Sequence, residues 1–210
     1  MKPKGLVDVV HWLEDVFGRL RLQHSYGGAI AYNYYGPTRF TQDVVVLVLL
    51  PRTAIPGLVD ALAAGGCVRD PAGPVELKAI LADFDAKARF TSVVCFGVRV
   101  EIFAPWHPFH QRVLDRSQLH ELRGRRIPIH AAEDLIVFKK AFDRPKDIQD
   151  IKAILMAQRG RLDLGGLRAD ARELLSSESM EELEQLLKEH GWVTPAPRAS
   201  RAHAAGPAGP

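Results

Sequence analysis

Asp43 stands at the head of an apolar run, "DVVVLVLL", and Glu101 lies inside a second strand-like run, "VRVEIF". Alternate side chains of a strand share a face, so Asp43 and residue 45 project the same way from one edge of a sheet. Two carboxylates there would hold Mg²⁺, which prefers oxygen ligands and shares its coordination with substrate phosphates. Glu101 on a neighbouring strand would supply a third and complete a clamp for in-line phosphoryl chemistry. Residue 45, however, is valine. Asp83 and Asp85 are the nearby acids that could be recruited in its place. Upstream, Gly27 and Gly28 fall between a short strand and a helix, where bare backbone amides at a positive helix end can meet phosphate. The same pair also suits a plain tight turn. Arg39 and Thr41, in "RFTQD", are placed either to position phosphate or to be solvated loop residues.

The elements that must position these residues follow from periodicity. Leu6, Val9, Val10, Leu13, Val16, Phe17 and Leu20 fall at helical spacing. A strand over Gln23 to Tyr26 then leads through the glycines into a helical piece ending at Tyr35, with a turn at Gly36-Pro37. "DVVVLVLL" reads as a central strand covered on both sides and ended by Pro51. A helix through Ile55, Leu58 and Leu62 closes at Gly65-Gly66, and another spans about Val75 to Asp83. "RFTSVVCF" and "VRVEIF" form a strand pair turning at Gly97, and "RRIPIH" is a further strand. "PWHPFHQR" reads as a loop packed on the sheet; its histidines and His120 lack metal-ligand spacing. Arg123, Arg125 and Arg126 read as a solvated loop or a contact to RNA phosphate. Four amphipathic helical stretches follow as far as Gly191.

The expectation is an α/β (α+β) fold: a small mixed sheet flanked by helices, in a single domain over 1–192 whose C-terminal part, 131–192, is helical. The Pro/Ala/Gly-rich segment 193–210 reads as a disordered tail. A chain that is 47% hydrophobic and 25% charged can bury an ordinary core, and a formal charge of +3 gives no general argument for nucleic acid. No apolar run approaches the ~20 residues of a membrane helix. Cys67 and Cys95 are expected as separate buried thiols in a reducing cytoplasm.

Taken in order, "GGAIAYNYYGPTRFTQDV", "VRVEIFAPWHPFHQRVLDR" and "IPIHAAEDLIVFKKAFDRPKDIQDIKAIL" resemble the minimal nucleotidyltransferase superfamily, close to the AbiEii-like proteins of toxin-antitoxin and phage-defence systems. The resemblance runs from about Val16 to Leu174 and rests on order: a double glycine, R-x-T-x-D, a later acid, E-D-L-x-x-x-K, then R-P-K-D-x-x-D. It implies a polymerase-beta-like fold and Mg²⁺- or Mn²⁺-dependent transfer of a nucleotidyl group from a nucleoside triphosphate to an RNA or protein acceptor. By the same resemblance Asp43 and Glu101 are catalytic and metal-binding, and Gly27, Gly28, Arg39, Thr41, Lys139 and Asp147 bind nucleotide. Lys139 and Asp147 also have structural readings, in a helix interior and at a helix start. A cognate antitoxin is implied as a partner. The chain departs at Val45, where the superfamily has the second Asp of the metal-binding pair, and at Ala29, where many relatives have Ser. Val45 implies weakened catalysis, and the alternative it raises is a catalytically degenerate nucleotide-binding or toxin-antitoxin interaction module.

Overall fold

The structure, a computed structural model, describes Pro3 and residues 5–71, 73–87 and 89–192. The expected tail therefore lies outside the described residues. In chain order the elements are α1 (Leu6–Leu20), β1 (His24–Tyr26), α2 (Gly28–Tyr35), β2 (Asp43–Val48), α3 (Ile55–Ala64), β3 (Val68–Arg69), β4 (Gly73–Pro74) and α4 (Leu77–Asp85). They continue with β5 (Phe90–Cys95), β6 (Val98–Phe103), α5 (Pro108–Asp115), β7 (Gln118–Leu122), β8 (Arg125–Ile129), α6 (Ala132–Phe142), α7 (Pro145–Ala157), α8 (Leu164–Leu174) and α9 (Ser177–Glu189). No helix among the described residues is long and apolar enough to cross a membrane.

The strands form one mixed sheet in the order β4-β3-β5-β6-β2-β1-β8-β7. β2 runs parallel to β6, and β1 parallel to β8; the other neighbours are antiparallel. Val44, Val46, Val100, Ile102 and Tyr26 share one fully buried face. α1 lies on it, where the Tyr26 hydroxyl donates to the Val10 carbonyl. So does α4, whose Asp83 accepts a hydrogen bond from Thr91 of β5. On the opposite face α2, α5 and α6 pack over β1, β8 and the far end of β2.

That second face is left open over β5, β6 and the start of β2. Burial alternates strictly along β5 and β6, with Phe90, Ser92, Val94, Arg99, Glu101 and Phe103 on the less covered side. Period-two burial is the signature of a sheet packed on one side only. β2, expected to be covered on both sides, is so only beyond Val45, because Asp43 remains exposed and Val45 half-buried.

Three expectations are corrected. "PWHPFHQR" is not a loop: α5 starts at Pro108, with His107 as N-cap accepting the Phe109 N–H through Nδ1 at 3.2 Å. The arginine-rich segment is a hairpin, β7 to β8, turned by Arg123 and Gly124 at φ 45° and 84°. Two successive residues at positive φ are what a tight hairpin turn requires, and arginine in the first place concealed it. Cys67 and Cys95 are not separate thiols but a disulfide. The antiparallel pairing of Val68 with Val94 and Arg69 with Val93 sets residue 67 opposite residue 95.

Candidate functional site

The site grows from the parallel pairing of β2 and β6. Val45 lies in register with Glu101, and Asp43 is two residues away on the same face. The double-glycine bend faces them. Gly27 donates its N–H to the Val45 carbonyl at 2.9 Å. Gly28 has φ +57°, and a Cβ there would come within 2.9 Å of Val45 Cγ2, so valine is packed directly on the bend. Behind it, a Cβ on Gly27 would come within 2.7 Å of the His130 ring. His130 is wholly buried and holds its Nδ1 2.8 Å from Ser25 Oγ; burial drives its pKa down to about 3, so it is neutral. Both glycines are thus required by close approach, one to a valine and one to a histidine.

Glu101 is the electrostatically perturbed member. Partial burial raises its carboxyl above the ordinary range, and the charge of Asp43 raises it further; Arg99, Arg144 and Lys146 pull it back. The two acids therefore interact, with three cations around them. Arg99 is shared with Asp70 at 2.7 Å, and Arg144 with Asp147 at 2.6 Å.

A second group of motif residues forms the wall beside this site. Lys139, 4% exposed, sets its Nζ 2.6 Å from Asp150 and 3.6 Å from Asp147. Arg39 donates to Asp150 at 2.9 Å, and its guanidinium lies 5.1 Å from the centre of the Tyr32 ring, which the Lys139 ammonium also faces at 5.7 Å. The Arg39 backbone is held on both sides by the Asn33 amide, at 2.9 and 3.0 Å. Thr41 spends its hydroxyl on the backbone of Asp43, at 3.2 and 3.3 Å. Arg39, Lys139, Asp147 and Asp150 therefore tie α2, the following loop, α6 and α7 together, and Thr41 braces the backbone of Asp43. The recruits suggested for residue 45 are elsewhere: Asp83 is bound to Arg69 and Thr91, and Asp85 to Arg52.

Residues not singled out from sequence include His130, Tyr32 and the two cations of "RPKD". The acid of that run, Asp147, is buried, while the exposed Arg144 and Lys146 supply the charge facing Glu101. The available signal was the helix start itself, where Pro145 opens α7 between Arg144 and Lys146.

Among the described residues no group of three or more His, Cys, Asp or Glu could hold a metal ion. Two carboxylates suit a single divalent cation that shares its remaining ligands with phosphates. They do not suit a two-cation clamp, since the methyl groups of Val45 stand beside the bend where the second carboxylate of the pair would project. A pH dependence follows. Because burial and the Asp43 charge make the Glu101 proton harder to remove than an ordinary glutamate's, a cation ligated by Glu101 would compete with that proton and bind more tightly as pH rises. Titration calorimetry with Mn²⁺ is expected to show this rise, and Glu101→Gln to abolish it. Stability has the opposite sign: a raised carboxyl stabilises the fold at low pH and loses that contribution as pH rises. Glu101→Gln should therefore raise the melting midpoint at neutral pH and leave it unchanged in acid.

No family model matches the chain, and no curated protein matches it. Among solved structures, the crystal structure of ANT(2″)-Ia in complex with adenylyl-2″-tobramycin superposes with a TM-score of 0.53 at 14% identity, covering 79% of this chain and 96% of that one. The solution structure of the antibiotic-resistance factor ANT(2″)-Ia gives 0.52 at 13% identity, over 88% and 95%. An antigenic nucleotidyltransferase-like protein from Paracoccidioides brasiliensis gives 0.45 at 18%, over 87% and 91%. The mixed sheet, the helices on both its faces and the two superpositions on ANT(2″)-Ia together establish that the chain has the nucleotidyltransferase fold.

Proposed function

We propose that the protein transfers a nucleotidyl group from a nucleoside triphosphate to a hydroxyl acceptor on RNA or protein, at a rate held down by Val45. The observation that carries this reading is the register of β2 on β6, which puts Asp43 and Glu101 on one open face opposite the Gly27-Gly28 bend. Asp43 and Glu101 would hold one Mg²⁺ or Mn²⁺, whose chemistry is to neutralise charge on the phosphates. The bend and the amides opening α2 receive the triphosphate. The wall of Arg39, Tyr32, Lys139 and Asp150 keeps in place the loop that leads into Asp43. Glu101, whose carboxyl partial burial and the charge of Asp43 raise above its ordinary value, is the acid that would take the acceptor's proton. The hydroxyl oxygen bonds to the α-phosphorus, the bond from that phosphorus to the bridging oxygen breaks, and pyrophosphate leaves.

The test is incubation with labelled triphosphates, Mg²⁺ or Mn²⁺ and total RNA or protein. Weak labelling is expected from the natural chain and none from Asp43→Asn, with binding of the triphosphate retained by both. Labelling that survives Asp43→Asn refutes the assignment.

A second reading is favoured by the packing of Val45 on Gly28: a module that binds nucleotide without turning it over and acts through a protein partner, such as an antitoxin. Triphosphate binding without labelling under any metal condition would select it.

A further inference from the structure

The open face continues past Glu101 on the side away from the glycine bend. β6 lies between β2 and β5, so whatever occupies the bend and Asp43 approaches Glu101 from one flank and leaves the β5 flank free. There Phe90 and Phe103 face each other across the strands, stacked with centroids 4.9 Å apart and planes at 18°. Phe142, at the end of α6 and 54% exposed, stands edge-on to Phe103 at 6.5 Å. The Arg144 guanidinium lies 5.2 Å from the centre of the Phe142 ring. Ser92, in register with Glu101, holds a buried hydroxyl that makes no hydrogen bond among the described residues. The result is a shelf of aromatic rings, edged by Arg144 and Lys146 and with a polar hydroxyl left over, next to the acid that would take the acceptor's proton.

An exposed phenylalanine with arginine over it, beside a basic helix start, is chemistry for a flat ring carrying negative charge: rings stack on rings, and phosphate meets the cations. It is poor chemistry for a polycation, which would meet Arg99, Arg144 and Lys146 around the same carboxylate. Resting on the transfer reading above, we propose that this shelf is the acceptor subsite and that it takes a nucleoside monophosphate unit, its base stacked on the exposed Phe142 ring with an edge toward Phe103, and its phosphate at Arg144 and Lys146. The unit comes either as a free nucleotide or as the end of a nucleic-acid strand.

The experiment uses the full chain and three probes in calorimetric titrations: adenosine monophosphate, a short single-stranded oligoadenylate and tobramycin. Each is titrated with the donor triphosphate and Mg²⁺ at saturation, or alone if the natural chain binds no triphosphate. The expected result is binding of the monophosphate, the oligoadenylate or both, weakened about tenfold in Phe142→Ala and restored in Phe142→Tyr, while retention of labelled triphosphate is unchanged. Oligoadenylate binding at least tenfold tighter than the monophosphate identifies a strand end as the source; equal binding identifies the free nucleotide. The proposal is overturned if tobramycin alone binds, if neither nucleotide probe binds, or if Phe142→Ala weakens triphosphate and monophosphate alike, which would make the shelf a seat for the donor's base. A natural chain that binds the monophosphate at the shelf but no triphosphate defeats the transfer reading and leaves the shelf intact.

Discussion

Val45→Asp is expected to raise nucleotide labelling by about a thousandfold over the natural chain, on the scale of about 1.4 kcal/mol for each factor of ten. The substitution nearly conserves volume and sets a carboxylate in register with Glu101, two residues from Asp43, on the face that meets the glycine bend. Three acids then suit the two-cation arrangement that two acids do not. A cost comes with it: a half-buried third carboxylate beside Asp43 and a Glu101 already disfavoured as an anion adds like-charge repulsion. The variant should therefore melt below the natural chain without cation and recover in Mn²⁺ by more than the natural chain gains. Labelling assays and thermal melts with and without metal check both halves. A variant that gains cation-dependent stability but no labelling would mean that Val45 is not what limits turnover.

Reducing the Cys67–Cys95 bridge is expected to cost about 3–4 kcal/mol, the loop-closure value for a bridge spanning 28 residues. For a chain of this length that corresponds to a fall of roughly 10 °C in melting midpoint. The bridge ties the segment after α3 to the last residue of β5, and so holds the short β3 and β4 edge on the sheet. Thermal melts with and without reductant should differ in the natural chain and coincide in Cys67→Ser. Identical melts of the natural chain in both conditions would refute the prediction.

Much of this was legible in the residues. The helical spacing from Leu6 to Leu20 gives α1 with the same limits, and the β-branched run from Asp43 gives β2. The convergence of Asp43, Glu101 and the glycine bend was expected from motif order and is what the strand register produces. What escaped depended on partners far along the chain. The disulfide could be read only by one who knew that Val68 pairs with Val94, and β3 is two residues long. Lys139 and Asp147 are both candidate nucleotide contacts in sequence, but their burial against one another, with Asp150 beside them, is a property of how α6 packs on α7. β7 was hidden because its outward residues are mostly polar and its turn begins with arginine rather than asparagine or glycine.

The parallel pairing of β2 with β6 also constrains how the proposed site is assembled. Parallel neighbours cannot be joined by a hairpin, and here the crossover carries α3, β3, β4, α4 and β5 before β6 returns to lie beside β2. The entropy of closing that long connection must be met before any contact between the two strands is gained, so the pairing is a high-contact-order step and slow to form. A chain in which β2 and β6 have not yet paired, even one that has formed the β5–β6 hairpin, therefore holds Asp43 and Glu101 apart and lacks the proposed site.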